Sequence, residues 1–137
     1  MSIIQSLQSW LSEFNGMELL TDTTDEAAPS HALAAVGGGT AFVDILGNRV
    51  YQNSYVFYAK EHISNEMDRQ DNQDFFEELC EWIEEKNDAE DFPKLSGRYT
   101  VSKVEVANPM LMEVYEDGLG LYQVQIQLYF EKVGSKV

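Results

Sequence analysis

His31 and His62 are the only histidines and Cys80 the only cysteine of the 137-residue chain, so nucleophilic or metal chemistry would have to be built on them or on carboxylates. A nucleophile relay needs a Ser or Cys, a His base and a third group that orients the base. Neither histidine stands in such a motif; His31 reads as a solvated loop residue and His62 as a strand-end or interface residue. Structural zinc needs Cys or His pairs at short spacing, and no H-x-x-x-H or paired-Cys pattern occurs. Asp68, Asp71 and Asp74 lack the alternating ligands and central glycine of an EF-hand loop. Gly37, Gly38 and Gly39 precede Thr40 but no Lys-Ser or Lys-Thr, so the triplet reads as a hinge rather than a phosphate cradle. Glycosidase-type chemistry needs one carboxylate pair set across a cleft, and 24 acidic residues single out none. No catalytic residue, cofactor or metal is expected.

Charge narrows the partners. Nine basic against 24 acidic side chains give a formal charge of -15, which leaves few Lys and Arg to neutralise phosphates. Sequence-specific nucleic-acid binding is disfavoured. No apolar run approaches the ~20 residues of a membrane span, and the N-terminus has neither the basic flank nor the apolar stretch of a signal peptide, so a cytoplasmic site of synthesis without membrane contact is expected. At 44% hydrophobic and 12% aromatic, the chain is too apolar to stay disordered despite its charge. A lone cysteine cannot form an internal disulfide, and Cys80 reads as a reduced core thiol.

The elements that would position these residues follow from periodicity. Ile3, Ile4, Leu7, Trp10, Leu11 and Phe14 mark one side of a first helix, with Ser2 and Gln5 as a capping box and Asn15-Gly16 at its end. A short strand is expected at Glu18 to Thr21, and a long, poorly specified loop from Asp22 to Gly39. Thr40 to Leu46 and Arg49 to Lys60 read as a hairpin about Gly47-Asn48, the second strand apolar on both faces and therefore central. A second helix capped by Asp71 or Asn72 runs to about Lys86 and turns Phe75, Phe76, Leu79, Cys80, Trp82 and Ile83 inward. Tyr99 to Ala107 reads as a strand whose alternation slips between Val101 and Val104, which predicts a bulge. Met110 to Tyr115 continues it, Asp117-Gly118 turns, and Leu119 to Lys132 returns with Val124, Ile126, Leu128 and Phe130 on one face and Gln123, Gln125, Gln127 and Tyr129 on the other. The order predicts a single α+β domain with an antiparallel or mixed sheet of four or five strands and two helices on one face. Trp10, Leu11, Phe75, Leu79 and Ile83 should pack with Val124, Ile126 and Phe130.

Two surfaces stand out for binding. Residues 68 to 91 hold eleven of the 24 acidic groups against Arg69 and Lys86, with Glu77, Glu81, Glu84 and Asp88 in a stripe opposite the aromatic face of the helix. Such a stripe is a solvated face, or one that repels DNA or meets a basic partner. The other is the loop, where Ala32, Leu33, Ala34, Ala35 and Val36 followed by Gly37, Gly38 and Gly39 could order against a neighbour. On this reading, residues 24 to 35 can be deleted with the fold nearly intact. The mixed polar face of Gln123, Gln125 and Gln127 predicts isolated subunits that are monomeric or weakly associated.

Taken together and in order, "MSIIQSLQSWL", "YVFYAKEHI", "NQDFFEELCEWIEEKN" with "FPKL" after it, and "YQVQIQLYFEK" resemble a family of phage and prophage proteins labelled minor capsid or tail-completion proteins. The resemblance spans nearly the whole chain, least in the loop before Gly39. It implies similarity to tail terminators, small α+β subunits that form rings, commonly hexamers, which cap the tail tube and join it to the head. The partners so implied are copies of the chain itself, tail-tube proteins and head-completion proteins, in a virion assembled in a bacterial cytoplasm. Some relatives carry a chloramphenicol-resistance label, whose acetyltransferase chemistry uses a His in an H-x-x-x-D-G setting. Here Glu113 stands four residues before Asp117-Gly118 and no His is present. The competing readings are an acidic DNA mimic, which should spread carboxylates at phosphate-like spacing rather than on one helix, and an enzyme, which should show convergent polar groups in a pocket.

Overall fold

The first helix begins as its sequence dictates. In the computed structural model, which describes residues 2–37, 39–97 and 99–132, with the side chain of Thr40 also outside the description, Ser2 caps α1 (Ile3–Leu11). Its Oγ accepts the Gln5 N–H at 3.3 Å while Gln5 Oε1 accepts the Ser2 N–H at 2.8 Å, the reciprocal capping box. The helix stops at Leu11, earlier than its apolar spacing suggests, and Asn15 and Gly16 take the left-handed conformation in the turn that follows.

The chain then builds β1 (Leu19–Thr21), β2 (Ser30–Ala35), β3 (Thr40–Val43) and β4 (Arg49–His62), then α2 (Glu66–Asp88), then β5 (Tyr99–Val106), β6 (Met110–Val114) and β7 (Leu119–Lys132). The fold is α+β, a single domain of two helices and a mixed seven-stranded sheet. Its five-strand path is β1-β2-β4-β7-β5, widened by β3 on β4 and β6 on β7. The long strands β4 and β7 pair without interruption from Val50↔Glu131 to His62↔Leu119 and form a central antiparallel ribbon. Each then carries two short strands end to end on its outer side. Along β4 these are β3 beside its start and β2 beside its end. Along β7 they are β6 beside its start and β5 beside its end.

Alternation sorts the ribbon into two faces. Tyr55, Phe57 and Ala59 of β4 share one face with Ile126, Val124 and Tyr122 of β7, and both helices pack there. Trp10 of α1 meets Trp82 of α2 at 4.8 Å between ring centroids, and its Nε1 donates to the Asp91 carbonyl at 2.9 Å. Trp10, Leu11, Leu79, Ile83, Val124, Ile126 and Phe130 all lie in the buried core, with the half-buried Phe75 packed on its margin. Burying each large apolar side chain stabilises by roughly 1.5 to 3 kcal/mol, whereas exposed like charges on α2 cost about 0.2 to 0.5 kcal/mol per pair, so the acidic helix stands. The predicted bulge is present as a register shift between Val101 and Lys103.

Three expectations are corrected. The segment from Asp22 to Gly39 is not a loop throughout: residues 30 to 35 form β2, antiparallel to β4 with Leu33 opposite Phe57. Ala32 and Leu33 are completely buried, so deleting residues 24 to 35 would remove a strand next to the core rather than spare the fold. The second helix starts at Glu66, where Asn65 accepts the Asp68 N–H at 2.8 Å and Glu66 and Asp68 sit favourably in the first turn. Asn72 lies inside that helix, buried, and its Nδ2 donates to the His62 carbonyl at 2.9 Å and to the Tyr122 hydroxyl at 3.4 Å. Finally, β3 ends at Val43, and residues 44 to 48 make a longer turn in which Asp44 Oδ1 accepts the Leu46 and Asn48 N–H groups, each at 2.9 Å.

Candidate interaction surfaces

His31 is the one candidate catalytic group that the fold places among organised neighbours. It lies on β2, not in a solvated loop, stacked between Phe57 and Phe75 at 5.7 and 5.5 Å, with Nε2 3.1 Å from Glu61 Oε1. A carboxylate-oriented imidazole is two members of a relay, but among the described residues no Ser, Thr or Cys side chain hydrogen-bonds to it. The arrangement ties β2 to the end of β4. His62 is exposed at that end, and its carbonyl receives Asn72. Among the described residues no cluster of His, Cys, Asp or Glu could hold a metal ion, and no helix is long and apolar enough to cross a membrane. Cys80 is a free thiol, half-buried rather than in the core, and burial pushes its pKa up, away from a reactive thiolate.

The acidic stripe is where the sequence put it. Glu77, Glu81, Glu84 and Asp88 are all exposed on the outer side of α2. The proposed loop contact is broken up instead. Leu33 is spent on the chain's own core, Ala32 is buried on the opposite face of the sheet, Ala34 is half-buried, and only Ala35, Val36 and Gly37 reach the surface beside Gly39. Gly37 takes a φ of 65°, while a Cβ on Gly39 would collide with the Asn53 side chain; Gly38 lies outside the described residues.

The larger exposed apolar surfaces are elsewhere. One is the β3–β4 hairpin, where Phe42, Val43, Ile45 and Leu46 are at least half exposed, Ile45 fully so. The other is β6, whose Met110, Leu111, Met112 and Val114 are all exposed. Both were legible as strands, yet neither was marked as a surface. The missed signal was an apolar run through a turn, where polar residues normally sit, and four apolar residues in the five of "MLMEV". Shallow grooves flank β6: on one side Leu111 and Tyr122 with Glu66 and Arg69 of α2, on the other Met112 and Tyr115 with Tyr58 and Lys60. In the second, Lys60 Nζ stands 5.0 Å from the Tyr115 ring centroid and the Tyr115 hydroxyl donates to the Glu113 carboxylate, which raises the tyrosine pKa.

Comparison of the chain with protein-family models and with curated proteins finds no match.

Proposed function

We propose that this chain is a structural subunit of a tailed bacteriophage particle, which forms a ring with its own copies at the tail end, completes the tail and joins it to the head. The resemblance of its helix, strand and closing segments to minor capsid and tail-completion proteins supports this reading. The observation that carries it is the pair of exposed apolar strips, on the β3–β4 hairpin and on β6, in a small folded domain. Exposed apolar side chains grouped on two strands in this way suit contact with another protein. In this reading the protein acts by contact with copies of itself, tail-tube proteins and head-completion proteins, not by catalysis, and the exposed carboxylates of α2 keep the outer surface solvated near packaged DNA. Negative-stain imaging of particles produced without the gene tests it. Heads and tails that accumulate unjoined are expected; intact, infectious particles would overturn the proposal.

A further inference from the structure

The chain treats the outer edges of its sheet unequally. Behind β1, Gln8 of α1 donates to the Leu20 carbonyl at 3.2 Å and to Thr21 Oγ1 at 3.0 Å. Behind β5, Asn87 of α2 takes the place of a neighbouring strand: its Nδ2 donates to the Val104 carbonyl at 2.7 Å and its Oδ1 accepts the Val104 N–H at 2.9 Å. Side chains that occupy an edge in this way prevent another strand from adding there. Among the described residues, no side chain hydrogen-bonds to the backbone of β3 or β6, and each is paired on one side only. These two bare edges are also the ones that carry the exposed apolar residues.

Their positions and charges are complementary. β3 lies beside Arg49 to Gln52, and β6 beside the part of β7 that faces Tyr58 to Glu61, so they occupy diagonal corners of the ribbon, about 30 Å apart along the strands. The hairpin corner presents Arg49, which makes no ion pair among the described residues, and Asp44, whose charged carboxylate is turned onto the Leu46 and Asn48 N–H groups. The β6 corner presents Glu116 and Asp117 in its turn, both exposed and neither in an ion pair among the described residues, while Glu113 accepts from the Tyr115 hydroxyl and shares its groove with Lys60. An edge joined to its own copy would set Arg49 near Arg49 or double the acidic cluster, whereas unlike edges bring opposite charges together.

We infer that β3 of one copy adds to β6 of the next as a parallel strand of a continuous sheet, which sets Arg49 against the turn at Glu116 and Asp117. Phe42 and Met110 then extend the face away from the helices, and Val43, Leu111 and Val114 the helix-bearing face. The two lengths match, because the register shift at Met112 leaves four paired residues of β6 against the four of β3. A contact between different edges is head-to-tail and propagates from copy to copy until rotation closes it. The inference rests on the proposed function for the closure into a ring, but not for the contact itself.

Cross-linking tests it. In a Cys80→Ser background, cysteines replace the exposed Val43 and Met112, singly and together, and a short bismaleimide is added to concentrated protein whose melting temperature confirms folding. The double variant is expected to give a ladder of dimers, trimers and higher species, and the single variants to stay monomeric. Arg49→Glu should reduce the ladder about tenfold, and Glu116→Lys with Asp117→Lys in the same chain should restore it. A double variant that stays monomeric, or single variants that dimerise as readily as the double one, would overturn the head-to-tail contact. The same variants in the phage separate the two proposals. A ladder in vitro with normal particles in the absence of the gene removes the virion role and leaves the contact. A gene required for particles, with no ladder and no effect of Arg49→Glu, removes the contact and leaves the role.

Discussion

The two faces of the β4–β7 ribbon are made by alternate residues of the same two strands, and they differ in chemistry: the face toward the helices is apolar, whereas the other mixes polar side chains with the buried Val50 and Val56. Toward the helices stand Tyr55, Phe57, Val124, Ile126 and Leu128, packed against Leu79 and Ile83 of α2 and Leu7 and Leu11 of α1. On the other face Gln52, Ser54 and Gln127 hold one another, with Gln52 Nε2 and Ser54 Oγ both donating to Gln127 Oε1 at 2.9 and 2.8 Å. The helix face gains its stability from apolar area removed from water, while hydrogen bonds on a face that water can reach contribute little net stability. The fold is therefore held mainly from the helix side, with the buried Val50 and Val56 a smaller contribution on the other, which leaves much of that face and the edges open to change for association.

The largest test of that asymmetry is a cavity on the helix face. Leu79→Ala, at a fully buried position, is expected to lower stability by about 2 to 5 kcal/mol in denaturant melts. A loss under about 1 kcal/mol would mean that the helix face is not where the stability resides. Asn72→Ala comes next, at about 1 to 3 kcal/mol, since it leaves the His62 carbonyl and Tyr122 hydroxyl without their donor at a nearly closed site. Asn87→Ala should cost less, about 1 kcal/mol, because water can reach the Val104 backbone that it uncovers. It sharpens the comparison in a second way: with β5 exposed as a bare edge, light scattering should show association absent from the parent protein. An unchanged scattering profile would show that Asn87 does not guard that edge.

How far the sequence discloses this arrangement depends on how strongly each segment writes its period. β7 was legible because Val, Ile, Leu and Phe alternate with Gln and Tyr, and the slip at Val101 announced the bulge because alternation changes phase there. β2 was hidden because "SHALAA" puts alanines on both faces, and alanine neither favours strands nor contrasts with its neighbours; only Leu33 marks the core side. The start of α2 was misplaced because Asn72 has the same capping chemistry as Asn65, and local sequence cannot tell a cap from an amide that reaches across to β4. The acidic stripe on α2 was legible because it follows helical spacing alone. The bare edges were not, because edge status belongs to the strand order, and β3 and β6 acquire it from partners far away in the chain.

The smallest effect is also the most diagnostic for the polar face. Gln125 is exposed and stands opposite Val56 on β4, outside the hydrogen bonds that join Gln52, Ser54 and Gln127. Gln125→Thr keeps a polar group and adds a β-branched carbon that suits a pleated strand, so the gain in strand preference and the loss of side-chain contact with Val56 nearly cancel. The expected change in stability is within about 0.5 kcal/mol in either direction. Cross-linking between Val43→Cys and Met112→Cys should be unaffected as well, because both contact edges lie at the corners of the ribbon and Gln125 at its middle. A loss above about 1 kcal/mol would show that the polar side chains of this face carry part of the fold as well. A weakened ladder at unchanged stability would instead move the contact between copies from the sheet edges onto this face.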